Sequence, residues 1–157
     1  MNTDSIVRPL ELLARVFDAL RPVLALATRW YVAWQFLKSG WLKLSSWQTT
    51  LGLFRDEYHV PLLPPDVAAV VGTFGELFFP LLLVLGVAGR IGPLGLFAVN
   101  VLAVVSYADV LLAVGFEAAL AQHVLWGYML AVLAVYGSGD WSLDAYLRGR
   151  LGSSRHW

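Results

Sequence analysis

Four blocks of apolar residues, 22–44, 66–86, 91–108 and 118–136, alternate along the chain with short polar or Pro/Gly-rich segments. At ~1.5 Å rise per residue, such blocks match the ~30 Å hydrocarbon core of a bilayer, so the pattern predicts four membrane-spanning helices. Ahead of the first block, Ile6, Leu10, Leu13, Phe17 and Leu20 recur at helical spacing with Arg8, Glu11, Arg15 and Asp18 between them, an amphipathic helix suited to a membrane surface. Acids are mixed into this segment and no small-residue cleavage site follows it, so it is expected to stay in the mature protein. Between the first two blocks, Trp47, Leu51, Phe54 and Tyr58 repeat near helical period. They predict a short interfacial helix capped by Ser46, followed by a stiff extended VPLLPP. The expected architecture is all-α: an integral membrane four-helix bundle with an N-terminal interfacial amphipathic helix and a short interfacial helix in the first outer loop. Residues 1–21 form the amphipathic segment, 22–136 the bundle, and 137–157 a polar tail expected to be partly disordered.

Composition sharpens this picture. Of 157 residues, 59% are hydrophobic and 14% charged, and the mean hydropathy of +0.67 is too high for a water-soluble domain. Alternating short strands, which a membrane barrel needs, are absent from the pattern. The chain has no cysteine, which excludes a thiol relay, an iron–sulfur cluster or a thiolate zinc site built from this chain alone. A formal net charge of zero gives no electrostatic case for nucleic acid. Arg8, Arg15 and Arg21 precede the first block, Arg90 joins the second and third, and Arg148, Arg150 and Arg155 follow the fourth, whereas the connection between the third and fourth has neither Arg nor Lys. Both termini are therefore expected on the cytoplasmic side, with the first loop as an outer lid.

The chemistry centres on Glu76, which lies in the middle of block 66–86. A carboxylate at that depth costs about 2.5 kcal/mol or more on insertion scales, so it must face a partner or a wet cavity. In the first block Arg29, Ala33, Phe36, Gly40 and Lys43 share one helical face, Trp30, Trp34 and Trp41 a neighbouring one, and Lys38 lies opposite beside Gln35. Counting from the outer ends, Glu76 lies ~15 Å deep, Lys38 ~9 Å and Arg29 ~20 Å. The small residues on its face and its planar, bidentate guanidinium favour Arg29 as the partner of Glu76, with Lys38 second and Lys43 snorkelling outward. Such a pair either fixes helix register or, with Asn100 and Tyr107, lines a polar cavity for a small redox headgroup or a proton. His59, His123 and Asp109 lie near the outer face without a metal-ligand spacing motif, which makes them weak candidates for a metal or haem and predicts no metal site.

Arg29 with Phe36, Gly40 and Lys43, then YHVPLLPP from Tyr58, Thr73 with Glu76 and Pro80, and Leu85-Gly86 with Arg90 together resemble the DoxX family of small bacterial four-helix inner-membrane proteins. The resemblance covers about residues 29–136 and itself implies four spans and the bacterial inner membrane. Some relatives are similar to DoxD-type subunits of thiosulfate:quinone oxidoreductase, and others are linked to oxidative or thiol stress. The VPLLPP and SYAD wording is similar to a branch found beside multinuclear-iron enzymes that modify small metal-binding peptides. Arg29, Lys43, Glu76 and Arg90 carry over as motif positions without assigned roles. The implied function is a membrane redox subunit binding a quinone-like or haem-like group near Glu76, with Arg29, Asn100 and Tyr107 as contacts and a separate redox or metal-handling protein as partner. The alternative is a non-enzymatic scaffold for metal or oxidative stress handling, with a homodimer as one use of the Arg29 face. Small-solute transport ranks third, because four spans make too small a bundle for an inverted repeat unless a second copy supplies it.

Overall fold

The computed structural model describes residues 4–152. The chain is all-α among these residues, with α1 over Asp4–Ser45, α2 Trp47–Asp56, α3 Pro65–Leu85, α4 Ile91–Ser106, α5 Ala108–Leu111, α6 Glu117–Tyr136 and α7 Leu143–Gly152. α3 and α6 are long and apolar enough to cross a membrane, and α4 is a shorter apolar helix of 16 residues.

α1 corrects one expectation. The amphipathic segment and the first apolar block form one continuous helix of 42 residues that runs through both Pro9 and Pro22. Each proline removes one intrahelical hydrogen bond, but the Val-Leu-Ala-Leu-Ala run after Pro22 has strong helix formers and carries the helix on. From Arg8 to Arg21 every side chain is exposed, so among the described residues the amphipathic part projects from the packed helices. The side chain of Ile6 lies outside the described residues.

α2 occupies the expected place, with Phe54 and Thr50 on its buried side. Ser46 stands at its N-cap, yet its side chain makes no capping bond. The link to α1 comes instead from Thr50, whose hydroxyl donates to the Lys43 carbonyl at 2.9 Å. A second tie, exposed and two-pronged, joins Arg55 to Asp66 at 2.8 and 2.9 Å and holds α2 against the start of α3. Asp66 also raises the pKa of the Arg55 guanidinium above its ordinary value, through that hydrogen bond first and its charge second. α3 begins with Pro65 at its first position, where the missing N–H costs nothing, and ends at Gly86 in the left-handed conformation with φ 64°.

The four long helices touch in a closed cycle: α1 on α3, α3 on α4, α4 on α6, and α6 back on α1. Val32, Ala33 and Phe36 of α1, Leu83, Leu96, and Leu130 and Leu133 of α6 form the core. Trp30, Trp34 and Trp41 face outward, as their helical face predicts. Close approach depends on Gly92, where an added Cβ would lie 2.9 Å from the backbone nitrogen of Leu83 and 3.2 Å from the Leu82 carbonyl carbon. α7 lies within the tail expected to be partly disordered: residues 143–152 are helical, and the Asp144 N–H bonds the Gly86 carbonyl at 3.2 Å. Arg155 lies outside the described residues.

The neighbours of Gly92 are backbone atoms that cannot rotate away, so Gly92→Ala is expected to lower unfolding stability in detergent by about 1–3 kcal/mol. Gly52 of α2 has open space around it, and Gly52→Ala should leave stability unchanged or raise it by up to ~1 kcal/mol. Thermal melts of the two variants side by side check both signs.

Candidate functional site

Glu76 is 6% exposed, and its partner is neither Arg29 nor Lys38. The Lys43 ammonium sits 2.6 Å from each carboxylate oxygen and 3.0 Å from the Ser39 hydroxyl. Helix geometry explains the choice. Gly40 is the α1 residue level with Glu76, for a Cβ there would lie 3.0 Å from the Glu76 Cβ. Helical side chains lean toward the N-terminus, so a lysine three residues further on reaches back to that level. Lys38 is exposed on the far face.

The pair forms one end of a cavity of about 230 Å³. α1 contributes Ser39 and Lys43, α3 contributes Gly72 and Glu76, α4 contributes Val99, Ala103 and Ser106, and α6 contributes His123. The segment between α2 and α3 roofs it with Tyr58, Val60 and Leu63. Phe54, Tyr58 and Tyr107 meet edge to face, with ring centroids 4.8 and 5.0 Å apart, and the His59 N–H donates to the Ser106 carbonyl at 2.9 Å. These contacts strap the roof to α4. Burial pushes the Tyr58 phenol above its ordinary pKa, with the negative charge of Glu76 adding to the effect, so at neutral pH it is a hydroxyl.

Asn100 is buried outside the cavity lining and is hydrogen-bonded to His123, which lines it. Its amide N–H donates to the His123 carbonyl at 3.0 Å, and its amide oxygen lies 2.8 Å from His123 Nδ1. The indole of Trp126 packs edge-on against the same imidazole at 4.9 Å. Of the four residues expected to hold a ligand, Glu76 and Tyr107 line the cavity, Asn100 supports it, and Arg29 is elsewhere.

Arg29 lies at the opposite end of the bundle, 2% exposed, among backbone carbonyls. Its guanidinium donates to the carbonyl oxygens of Ser138, of Val84 at 3.2 Å and of Trp141 at 2.7 Å, while its Nε is buried without a partner among the described residues. The same region holds Asp144, which accepts from the Gly89 N–H at 2.6 Å, Ser138, which donates to the Gly89 carbonyl at 3.1 Å, and Arg90, which donates to the Val135 carbonyl at 3.3 Å. Arg29 and Arg90 thus clasp the α3–α4 turn to the α6–α7 connection. Arg29, Gly40 and Glu76 are all buried inside the chain.

The outer histidines part company. His59 is exposed with its Nδ1 3.9 Å from Asp109, whereas His123 faces the cavity. No group of three or more potential metal ligands occurs among the described residues. Sequence reasoning placed Lys43 in a snorkelling role and left Ser39 and Tyr58 out of the site. The i, i+4 spacing of Ser39 and Lys43 was the available signal for the first two.

Comparison with known proteins adds a family. The DoxX family model matches residues 24–109, a stretch that holds the ion pair, both clasp arginines and the roof but stops short of His123. A relative from Haemophilus influenzae, described only as an uncharacterized protein, is 29% identical over 130 residues, covering 78% of this chain and 82% of the relative. No solved structure matches.

Lys43→Met leaves a carboxylate buried without its cation and is expected to destabilise the protein by about 3–5 kcal/mol, whereas the double change Lys43→Met with Glu76→Leu should recover most of that loss. Thermal melts of the single and double variants read the difference. Arg29→Lys should also destabilise, because one ammonium cannot span three carbonyls, and limited proteolysis should then cut within residues 137–142.

Proposed function

The chain belongs to the DoxX family, and from that premise we propose that it is an integral four-helix protein of the bacterial inner membrane whose cavity binds the headgroup of a quinone-like molecule for a redox system. Several observations support membrane insertion. α3 and α6 have spanning length, and the outward surface carries Trp30, Trp34, Trp41, Phe74 and Leu81, each half exposed or more, a coat that suits lipid tails and not water. The arginine distribution supports cytoplasmic termini, and with them a roofed cavity in the outer half of the membrane.

The observation that carries the ligand reading is the cavity itself, with apolar walls and a Lys43–Glu76 pair, Tyr107 and His123 gathered around it. Pockets with a few convergent polar groups among apolar walls are the usual form of small-molecule sites. At about 230 Å³ it falls below the ~300–1,000 Å³ common for drug-sized ligands, which suits a single-ring headgroup and disfavours a haem macrocycle. A bound quinone would supply two-electron chemistry. This chain's residues would orient the ring, exclude water beneath the roof, and offer Glu76 and His123 as proton-holding groups. With no cysteine in the chain, a partner protein would deliver the electrons.

The unpacked end of α1, exposed from Arg8 to Arg21, favours a second reading: an accessory protein that docks a metal or oxidative-stress system through this helix.

Detergent-purified protein is expected to bind decylubiquinone saturably. Tyr107→Phe, which removes a cavity hydroxyl able to donate to a ring carbonyl, should weaken that binding by about three- to tenfold, the scale of one neutral hydrogen bond, while Trp34→Phe on the outward face should not change it. Absence of saturable binding, together with no quinone in lipid extracts of the purified protein, would leave the accessory reading in place.

A further inference from the structure

We infer that the cavity selects a ligand bearing an aromatic hydroxyl, the reduced and hydrogen-bond-donating form of a headgroup, and that His123 is the residue that sets this preference. The inference rests on the reading of the cavity as a headgroup site, but the state of the His123 ring follows from geometry alone.

Asn100 fixes the His123 ring. A backbone carbonyl only accepts, so the amide group 3.0 Å from the His123 carbonyl must be the NH₂. That fixes the amide oxygen toward the imidazole, 2.8 Å from Nδ1. An amide oxygen only accepts, so Nδ1 carries the hydrogen. In a neutral imidazole the other nitrogen is then a bare lone pair. Nε2 has no hydrogen-bond partner among the described residues, and it is not one of the buried orphan atoms, so it stays open while the ring lines the cavity. Trp126 packed on the ring and Asn100 behind it keep the imidazole from turning over.

The remaining fixed groups point the same way. Among the described residues Lys43 is the one cation lining the cavity, and its ammonium is turned to the two Glu76 oxygens and the Ser39 hydroxyl. Glu76 itself is acceptor-only when ionised. The hydroxyls of Tyr58, Tyr107 and Ser106 can rotate to serve either polarity and decide nothing. The fixed-polarity acceptor left without a partner among the described residues is therefore His123 Nε2. A carbonyl-only ring would leave it facing an oxygen, whereas a phenolic hydroxyl satisfies it.

The test uses the full chain in detergent, labelled with ¹⁵N-histidine, and two ring-matched probes, 3,5-dimethylphenol and its methyl ether, with decylubiquinone alongside. The His123 signals, assigned by their loss in His123→Phe, are expected to show the Nδ1–H tautomer, and the phenol but not the ether should shift Nε2. The phenol should bind at least about tenfold tighter than the ether, the effect of leaving a buried acceptor unpaired, and His123→Phe should bring the two within about twofold of each other. An Nε2–H tautomer, an imidazolium at neutral pH, or a phenol preference that survives His123→Phe would overturn the assignment of His123. If decylubiquinone binds but phenol and ether bind alike, the donor preference alone falls. If none of the three binds, the headgroup reading falls and takes this inference with it.

Discussion

A carboxylate sealed between helices has to find its counter-charge within reach of its own side chain, and in this protein that requirement sets how α1 and α3 lie against each other. Glu76 meets Lys43, and Gly40 is what allows the approach, since it puts no Cβ between the two helices at that level. A one-turn slip in either direction would leave the acid facing Phe36 or the end of α1. Measured from the level of Gly40 and Glu76, α3 runs about 9 Å further outward than α1 does, at ~1.5 Å per residue. α2 fills that overhang, packing Phe54 on Ala68 and Ala69 of the first turns of α3. The roof and the cavity beneath it follow from the register that the ion pair imposes.

The other buried cation solves a different problem. Arg29 has no carboxylate partner, and its guanidinium is held by carbonyls from the end of α3 and from the connection that follows α6. Helix C-termini leave carbonyls without intrahelical donors and carry partial negative charge, so a fixed cation there satisfies both deficits. A planar group with five donors on one plane suits three carbonyls arriving from different directions, which lysine cannot do. Gly86 sits against it in a left-handed conformation, where a side chain would collide with Ser142. The two cations on one face of α1 thus serve opposite ends of the fold, one for register and one for closing the chain's C-terminal half onto its turn.

Helical periodicity made much of this visible in the sequence. The outward tryptophans, the buried face from Arg29 to Gly40, the short helix at Trp47 and the polar importance of Glu76 all follow from spacing. The partner of Glu76 did not, because counting depth from helix ends assumes that the ends are level, and the overhang of α3 breaks that assumption. Lys43 lies near the end of α1, yet its side chain reaches back to the level of the acid. α7 was also hidden, because its apolar residues Leu143, Tyr146 and Leu147 are half exposed and make no buried stripe. What holds it is backbone capping around Gly86 and Gly89, a signal that no periodicity carries. Asn100 and His123 looked like separate features of two helices, and only their adjacency across the α4–α6 contact makes them one unit.

These parts act on one another through solvent. Lys43 keeps 18% of its side-chain surface and Glu76 8%, and both line the cavity. Both are therefore open to whatever fills the cavity. A bound apolar ring would exclude solvent, lower the local dielectric and strengthen the attraction between ammonium and carboxylate. Because the same pair joins α1 to α3, a ligand there would act on the packing of those helices through that one contact. The clasp at Arg29 stands outside that circuit, since its acceptors are carbonyls at the far end of the bundle.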